Sequence, residues 1–275
     1  MQIGIIGLGY LGTAYSKIFE DAVLFDEPKG IGSREELNKC DIALVAVPTD
    51  PLPNGELDMS IVESIIDWIE TPLILIKSAL MPGTVDRLVA KTGKKIAVSL
   101  EMIGMGKYYI DPSKYPDPLD PRKHQSIIIG GELDTATKCA EVLWDKMSPD
   151  IRIHILTAKE VEMCKLIENA YGALKVTWIN CMYDYISKSG GNFIKTQQAW
   201  TSDKRVDGIH LRTLSYKRGW KSHCWDKDIP ALKATAETVG SETMVTLIDT
   251  IIKLNKEHLK ENEKNLEKKE HIKLN

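Results

Sequence analysis

Lys165 and Asn169 stand four residues apart in a stretch whose apolar residues recur at helical spacing, so both fall on one helix face. An ammonium and an amide on one face bind and polarise an alcohol. The ammonium stabilises alkoxide character as a hydride leaves, and the amide fixes orientation. The same spacing also describes a solvated lysine and a surface asparagine, and spacing alone leaves both readings open. A second cluster is Cys224-Trp225-Asp226-Lys227-Asp228-Ile229-Pro230. Pro230 suits a first helical turn, which puts Cys224 at a helix start beside a lysine. There a thiol is expected to have a lowered pKa and to act as a nucleophile. Asp228, one turn on, is placed to hold the catalytic lysine or a water. The other reading of Cys224 is a buried, inert thiol.

Three further polar groups end apolar runs. They are Val47-Pro48-Thr49, the segment Lys77-Ser78-Ala79-Leu80-Met81-Pro82-Gly83-Thr84, and Ser99-Leu100-Glu101. Ligands of open α/β sheets bind outside the carboxyl ends of strands, so three polar tips on one sheet edge define a crevice.

The elements that must position these groups begin with Ile3-Gly4-Ile5-Ile6, followed directly by Gly7-Leu8-Gly9-Tyr10-Leu11-Gly12. This is G-x-G-x-x-G between a buried strand and a helix, expected over about 11–20. The first glycine serves a tight turn, the second the approach of a pyrophosphate, the third close helix–strand packing. The next strand ends at Asp26, an acid placed to accept the adenosine ribose hydroxyls and to repel a 2′-phosphate. A dinucleotide is therefore the expected ligand, with NAD preferred to NADP. The alternative is a glycine turn in another doubly wound protein.

Strand-like runs at 3–6, 22–26, 42–47, 73–76, 96–99, 126–129 and 151–155 alternate with helical patterns, including 132–147. Continuous apolar strands between amphipathic helices predict a parallel sheet covered on both faces. Segment 107–124, rich in Pro, Tyr and Asp, reads as a long surface loop. From Ala158 to about Ser187 one long helix is expected, broken by Gly190-Gly191. The remainder is helical in pattern, with a loop around Gly219. Leu259 and Leu266, seven apart in a charged tail, hint at a helical seam or a solvated last helix. The expected fold is thus α/β: a Rossmann-type doubly wound parallel sheet over 1–155, then an all-helical domain over 156–275.

A chain of 275 residues is long enough for two domains. Its net charge of -3 gives no reason to expect a nucleic-acid partner. No apolar stretch is long enough for a membrane span, and the N-terminus does not read as a signal peptide. The cysteines Cys40, Cys139, Cys164, Cys181 and Cys224 are scattered without a C-x-x-C pair. That pattern points to a reducing cytoplasm and gives no metal site.

These pieces, in this order, resemble the UDP-glucose/GDP-mannose dehydrogenase family over nearly the whole chain. The resemblance rests on Gly-Leu-Gly-Tyr-Leu-Gly at 7–12, Val-Pro-Thr at 47–49 and Lys-Ser-x-x-x-Pro-Gly-Thr at 77–84. It continues in Glu-x-x-Lys-x-x-x-Asn at 162–169, Cys-x-x-Lys-Asp at 224–228 and Asn255 in a late helix. It implies an NAD-dependent dehydrogenase that oxidises the C6 alcohol of a nucleotide sugar to a carboxylate in two hydride transfers. By resemblance, Lys165 and Asn169 are the polarising pair, Asp228 their supporting acid and Cys224 the nucleophile. Glu101 manages the water that hydrolyses the thioester. The cofactor set is Gly7, Gly9, Tyr10, Leu11, Gly12, Asp26, Val47, Pro48, Thr49 and Ser78. Trp220 and Lys227 join Lys165 and Asn169 as substrate-binding residues, with Trp220, Lys221 and Trp225 read either as a wall for a phosphate-bearing ligand or as ordinary packing.

The chain departs from the family in several places. The resembling family has a third, nucleotide-holding domain, and the sequence stops where that domain would begin. The threonine after Lys-Ser is Ala79, and Met105 stands for a second acid. The glycine-rich loop reads Gly219-Trp220-Lys221-Ser222-His223. Gly208 falls about where a substrate-binding arginine is expected from a neighbouring subunit, with Arg212 nearby. The alternatives are a two-domain β-hydroxyacid dehydrogenase with one hydride transfer, and a non-catalytic NAD-binding subunit. The long helix, lying in the dimer interface of the resembling family, leads us to expect a homodimer here.

Overall fold

A computed structural model of the chain describes residues 1–102, 120–206, 208–213 and 217–273. The greater part of the expected loop 107–124, and Met105 with it, lies outside the described residues, as does the side chain of Leu266. The chain divides into two compact units, Met1–Leu166 and Ile167–Asn275.

The first unit is built on seven strands: β1 (Ile3–Ile6), β2 (Val23–Phe25), β3 (Ile42–Val45), β4 (Leu73–Ile76), β5 (Ile96–Ser99), β6 (Ser126–Gly131) and β7 (Arg152–Leu156). Their order is β2-β1-β3-β4-β5-β6-β7. All neighbours are parallel except β5 and β6, which pair antiparallel with Ala97 opposite Gly131 and Ser99 opposite Ile129. The expected sheet is thus mostly rather than wholly parallel. A short apolar run such as that of β6 carries no direction, so the reversal there is not readable from its composition.

The helices of this unit are α1 (Tyr10–Ser16), α2 (Arg34–Leu37), α3 (Ser60–Trp68), α4 (Thr84–Thr92) and α5 (Leu133–Trp144). Ile3 and Ile5, Ile42 and Leu44, and Leu73 and Leu75 share one buried cluster with Tyr15 and with Ala136, Cys139 and Leu143 of α5. Alternation along a strand turns Gly4 to the other face, where it lies against Leu37 of α2. Each fully buried Ile or Leu side chain contributes about 1.5–3 kcal/mol by leaving water, and every residue of β1, β3, β4 and β5 is buried. The first helix ends at Ser16 rather than near residue 20, its last residues giving way to turns in which Phe19 is buried.

A helix of 31 residues, α6 (Ala158–Lys188), matches the long apolar pattern, and the division between the units falls within it. In the second unit follow α7 (Phe193–Trp200), α8 (Trp225–Thr238) and α9 (Glu242–Lys273). Pro230 lies inside α8, not in its first turn. Its missing N–H leaves the Asp226 carbonyl without the usual helical donor. No helix among the described residues is long and apolar enough to cross a membrane.

Candidate functional site

The sheet order turns back at β1, so the crevice of the first unit opens at the carboxyl ends of β1 and β3. The glycine loop leaves β1 there. Gly7 has φ +84°, and its N–H donates to the Phe25 carbonyl at 2.9 Å. A Cβ on Gly12 would fall 1.8 Å from the Gly7 carbonyl oxygen, so only glycine allows α1 to start this close to the turn. A Cβ on Gly9 would meet nothing within 4 Å. The loop is therefore tight on the protein side and open at its middle glycine, which fits a diphosphate approaching the backbone. Tyr10 is exposed and Leu11 half-buried at the start of α1.

Asp26 is buried at the end of β2. Its carboxylate accepts the N–H of Leu8 at 2.7 Å and of Lys29 at 3.2 Å, which locks the acid to the glycine loop. Ser78 ties the next two strand tips together. Its hydroxyl donates to the Val47 carbonyl at 2.8 Å and accepts the Val47 N–H at 2.9 Å. Pro48 is exposed beside the buried Thr49.

The tips of β4 and β5 carry a buried ionic cluster. Lys77 Nζ lies 3.2 Å from Glu101 Oε2, donates to Ser99 Oγ at 3.0 Å and stands over the Tyr15 ring. Tyr15 donates its hydroxyl to the same Glu101 oxygen at 2.8 Å. Burial pushes the Lys77 ammonium below its ordinary pKa, and the Glu101 charge opposes that shift. Burial, and then the Glu101 charge, raises the Tyr15 phenol well above the usual value, so it remains a donor. Lys165 Nζ donates to the Glu101 carbonyl at 2.5 Å. One turn earlier on α6, Glu162 is buried and accepts the N–H groups of Gly83 and Val85, at 2.5 and 2.9 Å, at the start of α4. Burial nonetheless pushes its carboxyl up to about 7. Lys77, Ser78, Ser99, Glu101, Glu162 and Lys165 contribute to the walls of a cavity of about 10 Å³, near the least volume that holds a water.

In the second unit Asn169 donates to Asp228 Oδ2 at 2.6 Å, and Lys227 Nζ lies 2.6 Å from Asp228 Oδ1. Asp228 is 1% exposed, so both its oxygens are held inside the unit. Within the second unit the lysine on Asp228 is Lys227, and within the first unit Lys165 donates to the Glu101 carbonyl. Cys224 is the half-buried residue that precedes α8, and its carbonyl accepts the Asp228 N–H at 2.9 Å. Trp220 is buried. Asn255 accepts its N–H and donates to its carbonyl, at 2.7 and 2.9 Å, and its indole N–H donates to Thr177 at 3.1 Å. Trp220 and Trp225 meet edge to face at 6.0 Å. Packing, the second reading of these tryptophans, describes their surroundings. Lys227 is likewise a buried ion-pair partner of Asp228.

Sequence reasoning missed Tyr15 and Arg218 as parts of these clusters, and named Lys77 and Glu162 within motifs without giving them a partner. Arg218 is buried and donates to Asn180 and to Asp184 at 2.6–2.9 Å, with Glu261 at 3.3 Å. Asn262 fastens its backbone as Asn255 fastens that of Trp220. The available signal was the pair Asn255 and Asn262, seven apart on one face of a charged helix.

Fold and glycine loop together define a Rossmann-type protein with a helical second unit. Residues 159–257 match the model of the UDP-glucose/GDP-mannose dehydrogenase family, central domain. The chain is 23% identical to UDP-glucose 6-dehydrogenase AglM of Haloferax volcanii, covering 88% of this chain and 67% of that protein. It is 24% identical to a UDP-glucose 6-dehydrogenase of Pseudomonas aeruginosa, covering 77% of this chain and 48% of that one. It thus spans about half the length of several curated relatives that it matches. A solved UDP-glucose dehydrogenase of Pyrobaculum islandicum shares the fold with a TM-score of 0.76 and 21% identity, over 93% of this chain and 68% of that one. The family resemblance read from the motifs is borne out by these matches.

Proposed function

We propose that the chain is an NAD-dependent dehydrogenase that oxidises the C6 alcohol of a nucleotide sugar, of the UDP-glucose kind, to the carboxylate. The observation that carries this reading is the Asn169–Asp228 hydrogen bond. It joins Asn169, from the Lys-x-x-x-Asn motif of α6, to Asp228, from the Cys-x-x-Lys-Asp motif at the start of α8.

Gly7, Gly9, Tyr10, Leu11, Gly12, Asp26, Val47, Pro48, Thr49 and Ser78 are the residues that would hold NAD, which when bound supplies the hydride acceptor. Lys165 and Asn169 hold the substrate hydroxyl, and the ammonium stabilises alkoxide character on that oxygen as the hydride leaves, the hydroxyl proton passing to solvent water. Asp228 fixes the Asn169 amide through one oxygen and neutralises Lys227 through the other. The Cys224 thiolate adds to the aldehyde carbon, forming a C–S bond and a thiohemiacetal. Loss of the second hydride leaves a thioester, and water cleaves the C–S bond to release the carboxylate and the thiol. Glu101, oriented by Tyr15 and Lys77, takes the proton of that water. A reducing cytoplasm keeps Cys224 available as a thiol.

The same reading includes a homodimer. Ile167, Tyr171, Trp178 and Tyr185 recur at steps of four and seven along α6, and each is 49–66% exposed. Such an apolar stripe marks an association surface, and a second copy supplies the matching one.

Cys224→Ser tests the chemistry. The variant is expected to reduce NAD once and to stall at the aldehyde. Undiminished carboxylate formation would remove the cysteine mechanism and favour the single-hydride β-hydroxyacid type.

A further inference from the structure

The reversal at β6 brings the entrance of that strand to the sheet edge where the parallel strands end. Ser99 pairs with Ile129, and the Leu100 N–H donates to the Ile128 carbonyl at 2.9 Å. The chain leaving β5 therefore runs beside the chain entering β6. Glu101 lies on the first of these segments, and His124 on the second, just after the 3-10 turn Pro121–Lys123. The His124 N–H closes that turn by donating to the Pro121 carbonyl at 3.1 Å. Its side chain is 11% exposed, and its Nδ1 faces Glu101 Oε1 at 3.9 Å, beyond a hydrogen bond. Among the described residues, Nε2 of the same ring is a buried nitrogen without a hydrogen-bond partner. Either tautomer leaves Nε2 unpaired, at the cost of its lost hydration. No hydrogen bond of the ring among the described residues thus explains why an imidazole is kept there.

What the ring can do is set at Nδ1. An imidazole N–H facing a carboxylate closes to about 2.7–2.9 Å. The separation of 3.9 Å is instead that of a nitrogen lone pair turned toward the oxygen. Burial, ahead of any charge, pushes the imidazole below its ordinary pKa. Lys77 and Lys165 act in the same direction, and Glu101 and Asp120 against it. The neutral ring is therefore the resting form at neutral pH. A carboxylate gains nothing from a lone pair beside it, but a carboxylic acid does, because its O–H donates to Nδ1. Hydrogen bonding to the protonated form makes the carboxylate a better base. The opposite influence comes from Lys77 and Tyr15 at Oε2, which both favour the charged form of Glu101. On the dehydrogenase reading, on which this inference rests, Glu101 takes a proton from the water that attacks the thioester. We propose that His124 is a positioning residue of that step, its Nδ1 accepting the O–H that Glu101 acquires. The water oxygen bonds to the thioester carbon as one of its protons moves to Glu101 Oε1. The C–S bond then breaks with its electron pair on sulfur, and the second water proton ends on that sulfur, giving carboxylate and thiol. Once the product has left, Glu101 returns its proton to solvent.

The test is a single turnover of the purified chain with UDP-glucose and excess NAD. NADH is followed by absorbance, carboxylate by chemical quench and the covalent enzyme by intact mass. His124→Leu removes the acceptor, and His124→Asn supplies an amide oxygen in its place. His124→Leu is expected to form NADH within about twofold of the wild-type rate, to slow carboxylate release about tenfold and to accumulate thioester. His124→Asn is expected to bring release back to within about threefold of wild type. Wild-type release should fall as pH drops below the ordinary histidine value, where the ring takes a proton and pairs with Glu101 as an ion. In His124→Asn that acid limb should move to lower pH. Release in His124→Leu as fast as in wild type, an acid limb unmoved in His124→Asn, or hydride transfer and release slowed alike overturns the role of His124. A wild type that forms no NADH, or only one per UDP-glucose, overturns the two-hydride reading and the inference with it.

Discussion

Glu162 holds its carboxylate against two backbone N–H groups in a place almost without solvent, and burial dominates. Its carboxyl, raised to about 7 in the folded chain against an ordinary 4.5, binds a proton more tightly folded than unfolded. Between those two values the folded state carries the extra proton. Stability from this group is fully present below pH 4.5 and is lost as pH rises through 7, with a limiting slope of about 1.4 kcal/mol per pH unit. Urea unfolding across this range should show Glu162→Gln flattening that fall relative to wild type. An unchanged slope would place the titration elsewhere. At this scale the sequence was legible where partners are close in the chain. Lys165 with Asn169, and Cys224 with Asp228, announce themselves by spacing along a helix. Tyr15, Lys77 and Glu101 lie on three different elements, and only the parallel sheet brings their tips together. The strand tips of Lys77 and Glu101 could be read onto one sheet edge, but no local pattern encodes the arrival of Tyr15 from α1.

Elements carry a different kind of information. The apolar runs marked β1, β3, β4 and β5, because a buried parallel strand must be apolar on both faces. The direction of β6 and the early end of α1 depend on tertiary packing, and Pro230 was misplaced because helix starts without a side-chain cap leave little mark. Gly172 shows how a packing requirement hides inside a helical pattern. It lies in α6, where a Cβ would come within 2.7 Å of the Trp225 ring of α8. Alanine in a helix interior is usually worth about 0.5–1 kcal/mol over glycine. Here the overlap with a ring costs about 1–3 kcal/mol and wins. Gly172→Ala should therefore lower the denaturation midpoint, and should become neutral or stabilising when Trp225 is shortened to leucine. A Gly172→Ala variant as stable as wild type would mean that the two helices do not pack through this ring.

For the whole molecule, the proposed assembly and the proposed reaction are checked separately. Replacing Trp178 with arginine puts a charge in the exposed stripe of α6, so sedimentation at micromolar concentration should show wild-type dimers and variant monomers. A monomeric wild type would contradict the dimer. The reaction itself rests on the cluster of Asn169, Asp228, Lys227 and the cysteine that opens the same helix. What the sequence supplied here was the order of five short motifs, enough to point to a family. It did not supply the substrate. The most direct measurement is the number of NADH molecules formed per molecule of substrate consumed, with UDP-glucose, other nucleotide sugars, sugar phosphates and 3-hydroxy acids offered in turn. The account predicts two NADH per nucleotide sugar and a carboxylate product. One NADH per substrate, or turnover confined to 3-hydroxy acids, would contradict it.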